Sequence, residues 1–216
     1  EAVRYSGSGT QKVEEELAEL LPGARILRMD ADTTMQKYAY DRNLSAFRDG
    51  EYDIMVGTQM VAKGLDFENV TLVGVLNADK ELYNDDFQSM ERTFDLITQV
   101  VGRAGRGRWS GKAVIQTMNP DSDVIRLACE QDYERFFQNE IRLRRLLQFP
   151  PFCDMVLLTL TCRDEKELQT AAVRLSEQLM AKNTTEYRDV PIIAFGPFEA
   201  PVYRVDNIYR MRMVVK

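Results

Sequence analysis

Apolar residues in the first half of the chain recur in two alternating patterns, which predict helices and short buried strands. Helical spacing occupies residues 11–21, 40–47 and 87–101. Short apolar runs, typical of buried parallel strands, lie between and after them at 25–29, 52–56, 70–76 and 113–117. Helices that alternate with such strands predict an α/β fold built on a parallel sheet.

The pattern changes after residue 120. Helical spacing over 121–146 ends at the string FPPF (149–152), which predicts a domain boundary there. Beyond it, strands at 155–161, 191–195 and 209–215 and a helix at 165–182 predict a small α+β unit. The expected parts are a lobe over 1–120, a helical connector over 121–148 and a C-terminal domain over 149–216.

Composition narrows the chemistry. The chain has 216 residues and a net charge of −6, so any contact with nucleic acid must be local rather than a general polyanion attraction. It has no histidine, which excludes histidine-based catalysis within it, and its three cysteines lie too far apart for a usual zinc knuckle. Sparse cysteines favour a reducing cytoplasm, and no apolar run is long enough to span a membrane.

Two arginines and one glutamine lie among glycines where the third predicted helix ends. Residues 99–107 read QVVGRAGRG and contain Gln99, Arg103 and Arg106. The rigid guanidinium fork matches phosphate oxygens, and glycines let backbone approach closely, as a transferring γ-phosphoryl group requires. The alternative is a solvated helix end, where arginine favours the helix dipole and Gln99 is a surface amide.

A second loop follows the predicted strand at 52–56. Residues 57–67 read GTQMVAKGLDF, and loops after parallel strands are where α/β sheets place ligands. Gly57 and Gly64 permit close backbone approach, and Thr58 can contact a phosphate without reading the base sequence. Asp66 can accept from a ribose hydroxyl or hold an arginine. The alternative is a turn whose glycines serve only its geometry.

Four further groups of residues could serve the structure or bind a ligand. Thr10 is expected to cap the first helix, and the carboxylates at 30–32 are expected to be turn and cap residues rather than a metal site. The arginines at 142–145 are expected on a solvated face, with DNA or interlobe contact as the alternative. Aromatics and arginines interleave over 203–212, which suits either stacking of single-stranded DNA or the outward face of an edge strand.

The two loops resemble motifs V and VI of superfamily 2 helicases, the latter written Q-x-x-G-R-x-G-R. Together with stretches over 5–34, the string VGVLNAD at 73–79 and the FPPF junction, they resemble the PriA family of replication-restart DNA helicases, also called primosomal protein N′. The resemblance extends nearly end to end. It implies a RecA-like, three-layer parallel-sheet lobe, the family's second helicase lobe with motifs IV–VI, followed by a small α+β C-terminal domain.

The resemblance also implies an ATP-dependent 3′–5′ DNA helicase that acts at stalled or abandoned forks and initiates primosome assembly. Residues that would contact DNA are Gly57, Thr58, Gln59 and Lys63. Residues that would bind nucleotide are Gly64, Asp66, Arg103 and Arg106, and those with a catalytic role at the γ-phosphate are Gln99, Arg103 and Arg106. No G-x-x-x-x-G-K-[ST] string occurs in the chain, so we expect it to be inactive alone.

Cofactors and partners follow from the same resemblance. ATP with Mg²⁺ would be bound mainly by the family's first helicase lobe, and zinc by a cysteine-rich module outside this chain. Expected partners of a monomeric, cytoplasmic protein are fork and single-stranded DNA, single-strand-binding protein, other primosome components and that first lobe. The alternatives are a non-catalytic primosome scaffold, and a recombination or transcription-repair translocase, which should lack the FPPF junction.

Overall fold

The computed structural model describes residues 9–30, 39–58, 67, 69–102 and 110–216. The chain divides into two compact units. The first contains Glu1–Asn84 and Gln88–Tyr133, and the second contains Asp85–Phe87 and Glu134–Lys216. In the described residues, no helix combines the length and apolar character needed to cross a membrane.

The first unit is mixed α/β. Its elements are α1 (Thr10–Leu20), β1 (Ile26–Met29), α2 (Ala39–Arg48), β2 (Ile54–Gly57), β3 (Leu72–Val75), α3 (Asp79–Leu82), α4 (Ser89–Val101), β4 (Lys112–Ile115) and α5 (Asp123–Glu130). Strand β1 pairs with β2 and β3 with β4, both in parallel, and in the described residues these are two separate two-stranded sheets. One continuous three-layer sheet therefore stays a prediction.

The β1–β2 sheet has a small core beneath α2. Leu27, Met29 and Leu44 are buried together there. Partly buried side chains packed against this cluster are Tyr40, Phe47, Tyr52, Met55 and Phe67. Helix α1 contacts β1 and β2 but buries none of its residues, so its apolar stripe is less covered than its periodicity predicts.

Helix α4 forms the core of the other half of the first unit. Phe94, Ile97 and Val100 are buried on one face, and the helix contacts α3, α5, β3 and β4. Strand β3 is less buried than its apolar run predicts, since Leu72 is 63% exposed. The reason is that β3 pairs only with β4 among the described residues.

The predicted helix over 121–146 is two helices. Gln131 adopts the left-handed conformation (φ 57°) and ends α5, and α6 (Tyr133–Leu147) begins two residues later. An αL residue at a helix C-terminus is a common stop, and side chains other than glycine occupy it less often. Without a glycine or proline between 121 and 146, the sequence carries no clear signal for this break.

The second unit packs one long helix on a three-stranded antiparallel sheet. Its elements after α6 are β5 (Val156–Cys162), α7 (Glu165–Thr185), β6 (Ala194–Val205) and β7 (Ile208–Val215), with strand order β5–β7–β6. Leu168 and Ala172 of α7 and Met211 of β7 form its buried cluster. By this strand order β7 is the middle strand, so the edge-strand alternative is wrong for Arg210 and Arg212, whereas Tyr203 and Arg204 do lie on an edge strand, β6.

The buried face of α4 gives a direct test of this packing. Ile97 is fully buried (0% exposed), whereas Met90 on the same helix is 37% exposed. We expect Ile97→Ala to lower the free energy of unfolding by about 2–5 kcal/mol, because it leaves a cavity against rigid neighbours. Met90→Ala is the control and should change it much less. Urea denaturation followed by circular dichroism measures both, and equal losses would contradict the packing.

Candidate functional site

The first part of the candidate site lies at the carboxyl edge of the β1–β2 sheet. The last register pair of these parallel strands is Met29 with Gly57, so Asp30 and Thr58 follow at the same edge. Gly57 and Thr58 are both exposed. The carboxyl edge of a parallel sheet is where α/β folds place ligands, and an exposed hydroxyl with its backbone N–H can bind a phosphate there.

A buried carboxylate holds the start of α1 at this edge. The Thr10 hydroxyl donates to Asp30 Oδ2 at 2.6 Å, and Arg28 Nε lies 3.1 Å from the same oxygen. Arg28 also reaches Glu14 of α1, with 3.3 Å between Nη1 and Oε2. The helix cap itself is Gly9, without a side-chain bond, so the prediction that Thr10 caps α1 is wrong. Its hydroxyl is engaged by Asp30 instead.

The same bonds account for Asp30 without a metal. In the part of the chain that the structure describes, no cluster of three or more histidine, cysteine or acidic side chains could hold an ion. Asp32, the second carboxylate of the pair, lies outside the described residues. Asp30 is thus a structural anchor between α1 and β1.

The second part of the candidate site is the end of α4. Ile97 and Val100 point into the core, and Gln99 between them is exposed. The helix ends at Val101, and the Gly102 N–H closes it by donating to the Thr98 carbonyl at 3.0 Å. A Cβ atom on Gly102 would lie 3.2 Å from that carbonyl oxygen, closer than side chains usually come, so glycine suits this position.

Only part of the predicted site lies within the described residues. Gly57, Thr58 and Gln99 are described, and they lie on separate elements, β2 with its following loop and α4. No hydrogen bond joins Thr58 to Gln99 in the described parts of the chain. The predicted site residues outside the described ranges are Gln59, Lys63, Gly64, Asp66, Arg103 and Arg106. Their roles stay predictions.

The sequence reasoning missed Asp79, which joins the carboxyl ends of β3 and β4. Its carboxylate accepts from the Thr117 hydroxyl and from the Met118 N–H, both at 2.8 Å. These bonds, the backbone one foremost, hold the pKa of Asp79 below its usual value of 3.8 against the opposing effect of desolvation. The available signal was an aspartate four residues beyond an apolar strand, preceded by Asn77, whose φ of 55° turns the chain.

The arginines of α6 serve the second unit. Arg144 Nε lies 2.7 Å from Glu140 Oε1, and both side chains are nearly buried, 13% and 10% exposed. Its guanidinium also lies over the Phe87 ring, 5.2 Å from the centroid, and Arg145 lies 4.9 Å from the centroid of Phe152. The prediction of a solvated basic face is therefore wrong for Arg144.

The aromatic rings near the carboxyl end of the chain are already engaged as well. Tyr203 and Tyr209 contact each other edge to face, with centroids 5.5 Å apart, and both pack against the cluster under α7. The Tyr203 hydroxyl donates to Glu165 at 2.9 Å. Rings held in this way are poorly placed to stack on bases, so these two tyrosines do not form the predicted DNA surface.

Two family models match the chain, one in each half. A family model for the helicase conserved C-terminal domain matches residues 5–108, and one for the primosomal protein N C-terminal domain matches residues 145–216. The chain belongs to the PriA family. It is 44% identical over 216 residues to the replication restart protein PriA of Bacillus subtilis. The aligned region covers 100% of this chain and 26% of that relative.

More distant PriA proteins match over the same extent. The Synechocystis protein is 40% identical over 217 residues, covering 99% of this chain and 25% of the relative. The Thermotoga maritima protein is 32% identical over 209 residues, covering 97% of this chain and 27% of the relative. The chain thus spans about a quarter of the length of the curated PriA relatives it matches.

The carboxylate that the sequence reasoning missed in this PriA-family chain predicts a pH-dependent stability. The Asp79 pKa is lowered by folding, so its charge stabilises the fold above about pH 4, and this contribution is lost as pH falls through the folded-state pKa. At pH 7, Asp79→Asn should lower the free energy of unfolding by about 1–3 kcal/mol, since one hydrogen bond to a charged group is lost.

Urea denaturation at neutral pH and at successive values below pH 4 measures this effect. The difference between the two proteins should shrink as the wild-type carboxylate gains its proton. Asp121→Asn, at an exposed position in the nearby loop, is the control and should have little effect at either pH. A deficit of Asp79→Asn that stays constant down to pH 2 would contradict the assignment.

Proposed function

We propose that this chain is the C-terminal part of an ATP-dependent 3′–5′ DNA helicase. The parent protein acts at stalled or abandoned replication forks and initiates primosome assembly for replication restart. The observation that carries the proposal is the order of the two family matches, a helicase C-terminal domain followed by a primosomal protein N C-terminal domain, on one chain. Relatives that align with the whole chain are named replication restart protein PriA.

We assign three parts to the chain. Residues 1–120 form a RecA-like, three-layer lobe that carries motifs IV–VI, 121–148 form the connector and 149–216 form the C-terminal domain. Support for the first assignment comes from two pairs of parallel strands with α4 packed on one of them. In this assignment the separate β1–β2 and β3–β4 sheets are parts of one larger sheet.

The DNA track lies in the loop after β2. Thr58, exposed at the carboxyl edge of β1–β2, contacts a backbone phosphate through its hydroxyl and N–H groups. Gly57 lets the strand approach the backbone, and Gln59 and Lys63 add a polar and a charged contact. Such contacts hold a strand irrespective of its sequence, as a translocating enzyme requires.

The ATPase contribution of this chain comes from the end of α4. Gln99, Arg103 and Arg106 face the γ-phosphate of a nucleotide bound mainly by the first helicase lobe of the same protein. The support is the exposed amide of Gln99 three residues before the Gly102 cap, which starts the predicted motif at a solvent-facing helix end. Gly64 and Asp66 connect this nucleotide to the DNA loop.

The chemistry supplied by bound ATP and Mg²⁺ is phosphoryl transfer to water. Arg106 acts as an arginine finger, which stabilises negative charge in the transition state and is worth roughly 10³–10⁵ in rate in phosphoryl-transfer enzymes. Arg103 contacts the γ-phosphate as well, and Gln99 orients the loop that carries both arginines. Opening and closing of two lobes around the nucleotide then moves the Thr58 loop along DNA. The chain by itself is inactive.

Further partners follow from the family assignment. They are fork and single-stranded DNA, single-strand-binding protein and other primosome components, bound by a monomeric protein in the cytoplasm. Zinc belongs to a separate module of the parent protein.

Substitution of the finger tests the proposal in the full-length protein. Arg106→Ala should reduce DNA-stimulated ATP hydrolysis at least about a thousandfold, because transition-state charge loses its partner. Binding to a model fork, measured by fluorescence anisotropy, should stay nearly unchanged. Arg108→Ala, two residues away and outside the motif, is the matched control and should keep normal turnover.

The same pair of measurements separates the enzyme from a non-catalytic scaffold. A scaffold would show no DNA-stimulated hydrolysis in the parent protein and no difference between the two variants. Normal turnover of Arg106→Ala would contradict the finger assignment, and absence of hydrolysis in the unmodified protein would contradict the helicase.

A further inference from the structure

Helix α5 and the turn after it contact one side of α4. The rings of Phe94 on α4 and Tyr133 at the start of α6 have centroids 6.2 Å apart. Four residues further along α4, the Thr98 hydroxyl donates to the Ala128 carbonyl of α5 at 3.4 Å. The segment that ends α5 and begins α6 is therefore held against α4 as that helix approaches its own end.

The same side of α4 continues to Gly102, the residue that closes the helix. Phe94, Thr98 and Gly102 are spaced four residues apart, and this spacing places them on one face. A Cβ atom on Gly102 would lie 3.5 Å from the Gln131 Nε2 atom. The amide of Gln131 thus lies beside Gly102, on the side where glycine has no side chain. The next residue in the sequence is the predicted motif arginine Arg103.

The backbone of Gln131 has a conformation that favours another residue type. Its φ of 57° lies in the left-handed region, where its N–H ends α5 by donating to the Leu127 and Ala128 carbonyls. Glycine adopts this conformation without steric cost, and asparagine adopts it more readily than glutamine does. Ending a helix therefore does not explain why a glutamine side chain stands at this position.

A second glutamine in the chain gives a direct comparison. Gln148 follows α6, has a φ of 52° and donates its amide to the Arg145 carbonyl of that helix at 3.0 Å. In the part of the chain that the structure describes, the Gln131 amide makes no such bond to α5 and faces Gly102 of another segment instead. The two glutamines share a backbone conformation but differ in what their amides contact.

The end of α4 suits an amide donor. The last carbonyl groups of a helix lack partners within the helix and carry partial negative charge. The Thr98 and Gln99 carbonyl oxygens lie 3.2 and 3.9 Å from the same Cβ position on Gly102 that the Gln131 nitrogen approaches. An amide nitrogen beside these oxygens opposes their charge and restricts the backbone at Gly102.

We propose that Gln131 is a positioning residue for the motif arginines Arg103 and Arg106. Its amide restrains the chain at Gly102, where α4 ends and the segment that carries both arginines begins in the sequence. It acts through Gly102 and not on the nucleotide itself. The inference rests on the proposed function, since it requires that these arginines reach the γ-phosphate. Contacts to a transition state depend on geometry, and a displacement of about 1 Å can lower a rate a hundredfold.

Gln131→Gly separates positioning from helix ending, because a glycine serves only the second role. Glycine fits the left-handed conformation better, so the urea midpoint of the 216-residue chain should stay unchanged or rise. The substitution also removes the amide beside Gly102. The kcat of DNA-stimulated ATP hydrolysis by the full-length protein should therefore fall about 10- to 100-fold. The KM for ATP should change little, because the proposed nucleotide contacts are retained.

Two further variants complete the experiment. Gln148→Gly is the matched control, because it makes the same substitution at a left-handed helix end in the second unit. It should keep the normal kcat. Gln131→Asn is the second test, because asparagine also tolerates the left-handed conformation but is one methylene shorter, which withdraws the amide from Gly102. Its kcat should fall as that of Gln131→Gly does.

Normal turnover of Gln131→Gly or Gln131→Asn would overturn the positioning role. An equal loss of kcat in Gln148→Gly would overturn it too, as would a loss of kcat that comes with a lowered urea midpoint. Arg106→Ala separates this inference from the proposed function. If Arg106→Ala loses hydrolysis while Gln131→Gly keeps it, only the positioning role is wrong. If Arg106→Ala turns over normally, both are wrong.

Discussion

The first unit depends most on the burial of one face of α4. Phe94, Ile97 and Val100 lie at 2%, 0% and 7% exposure, and α3, β3, β4 and α5 all contact this helix. With 3.6 residues per turn, a helix held by these three side chains must turn Gln99 outward. The helix ends at Val101 and is closed by Gly102, the residue before the predicted motif arginine Arg103 in the sequence. The same buried face therefore leaves Gln99, the first residue of the predicted motif, exposed to solvent.

Each parallel strand pair is completed at its carboxyl edge by a carboxylate. Asp30 follows β1 directly and accepts a hydrogen bond from the Thr10 hydroxyl. Asp79 follows β3 and accepts hydrogen bonds from a hydroxyl and a backbone N–H just after β4. Strand ends leave polar backbone groups without sheet partners, and a carboxylate can join elements there without covering the edge with apolar groups. The sheet edge that carries Thr58 thus stays exposed, while the Thr10–Asp30 hydrogen bond holds α1 against β1 beside it.

Periodicity in the sequence was sufficient for the elements whose packing repeats, such as α4 and α7, and for the presence of most strands. It failed where a partner lies far along the chain: the Thr10 bond to Asp30 spans twenty residues, and no local pattern distinguishes it from a cap. The predicted strand 191–195 shares only Ala194 and Phe195 with β6. Glycine and proline interrupt the apolar pattern after Phe195, whereas register shifts accommodate them in the sheet. The candidate site could be predicted from the sequence only as short motifs. The hydrogen bonds of Asp79 could not be predicted, because they require the ends of β3 and β4 to lie side by side.

The central claim is that α4 presents one half of an ATPase site that a separate lobe must complete. The most direct measurement is phosphate release by the 216-residue chain alone, with ATP, Mg²⁺ and single-stranded DNA, beside its Arg106→Ala variant and the full-length protein. We expect DNA-stimulated phosphate release only from the full-length protein. Both forms of the 216-residue chain should release no more phosphate than a control without protein. Turnover by the short chain that disappears in Arg106→Ala would contradict it, because the chain would then hold a complete site.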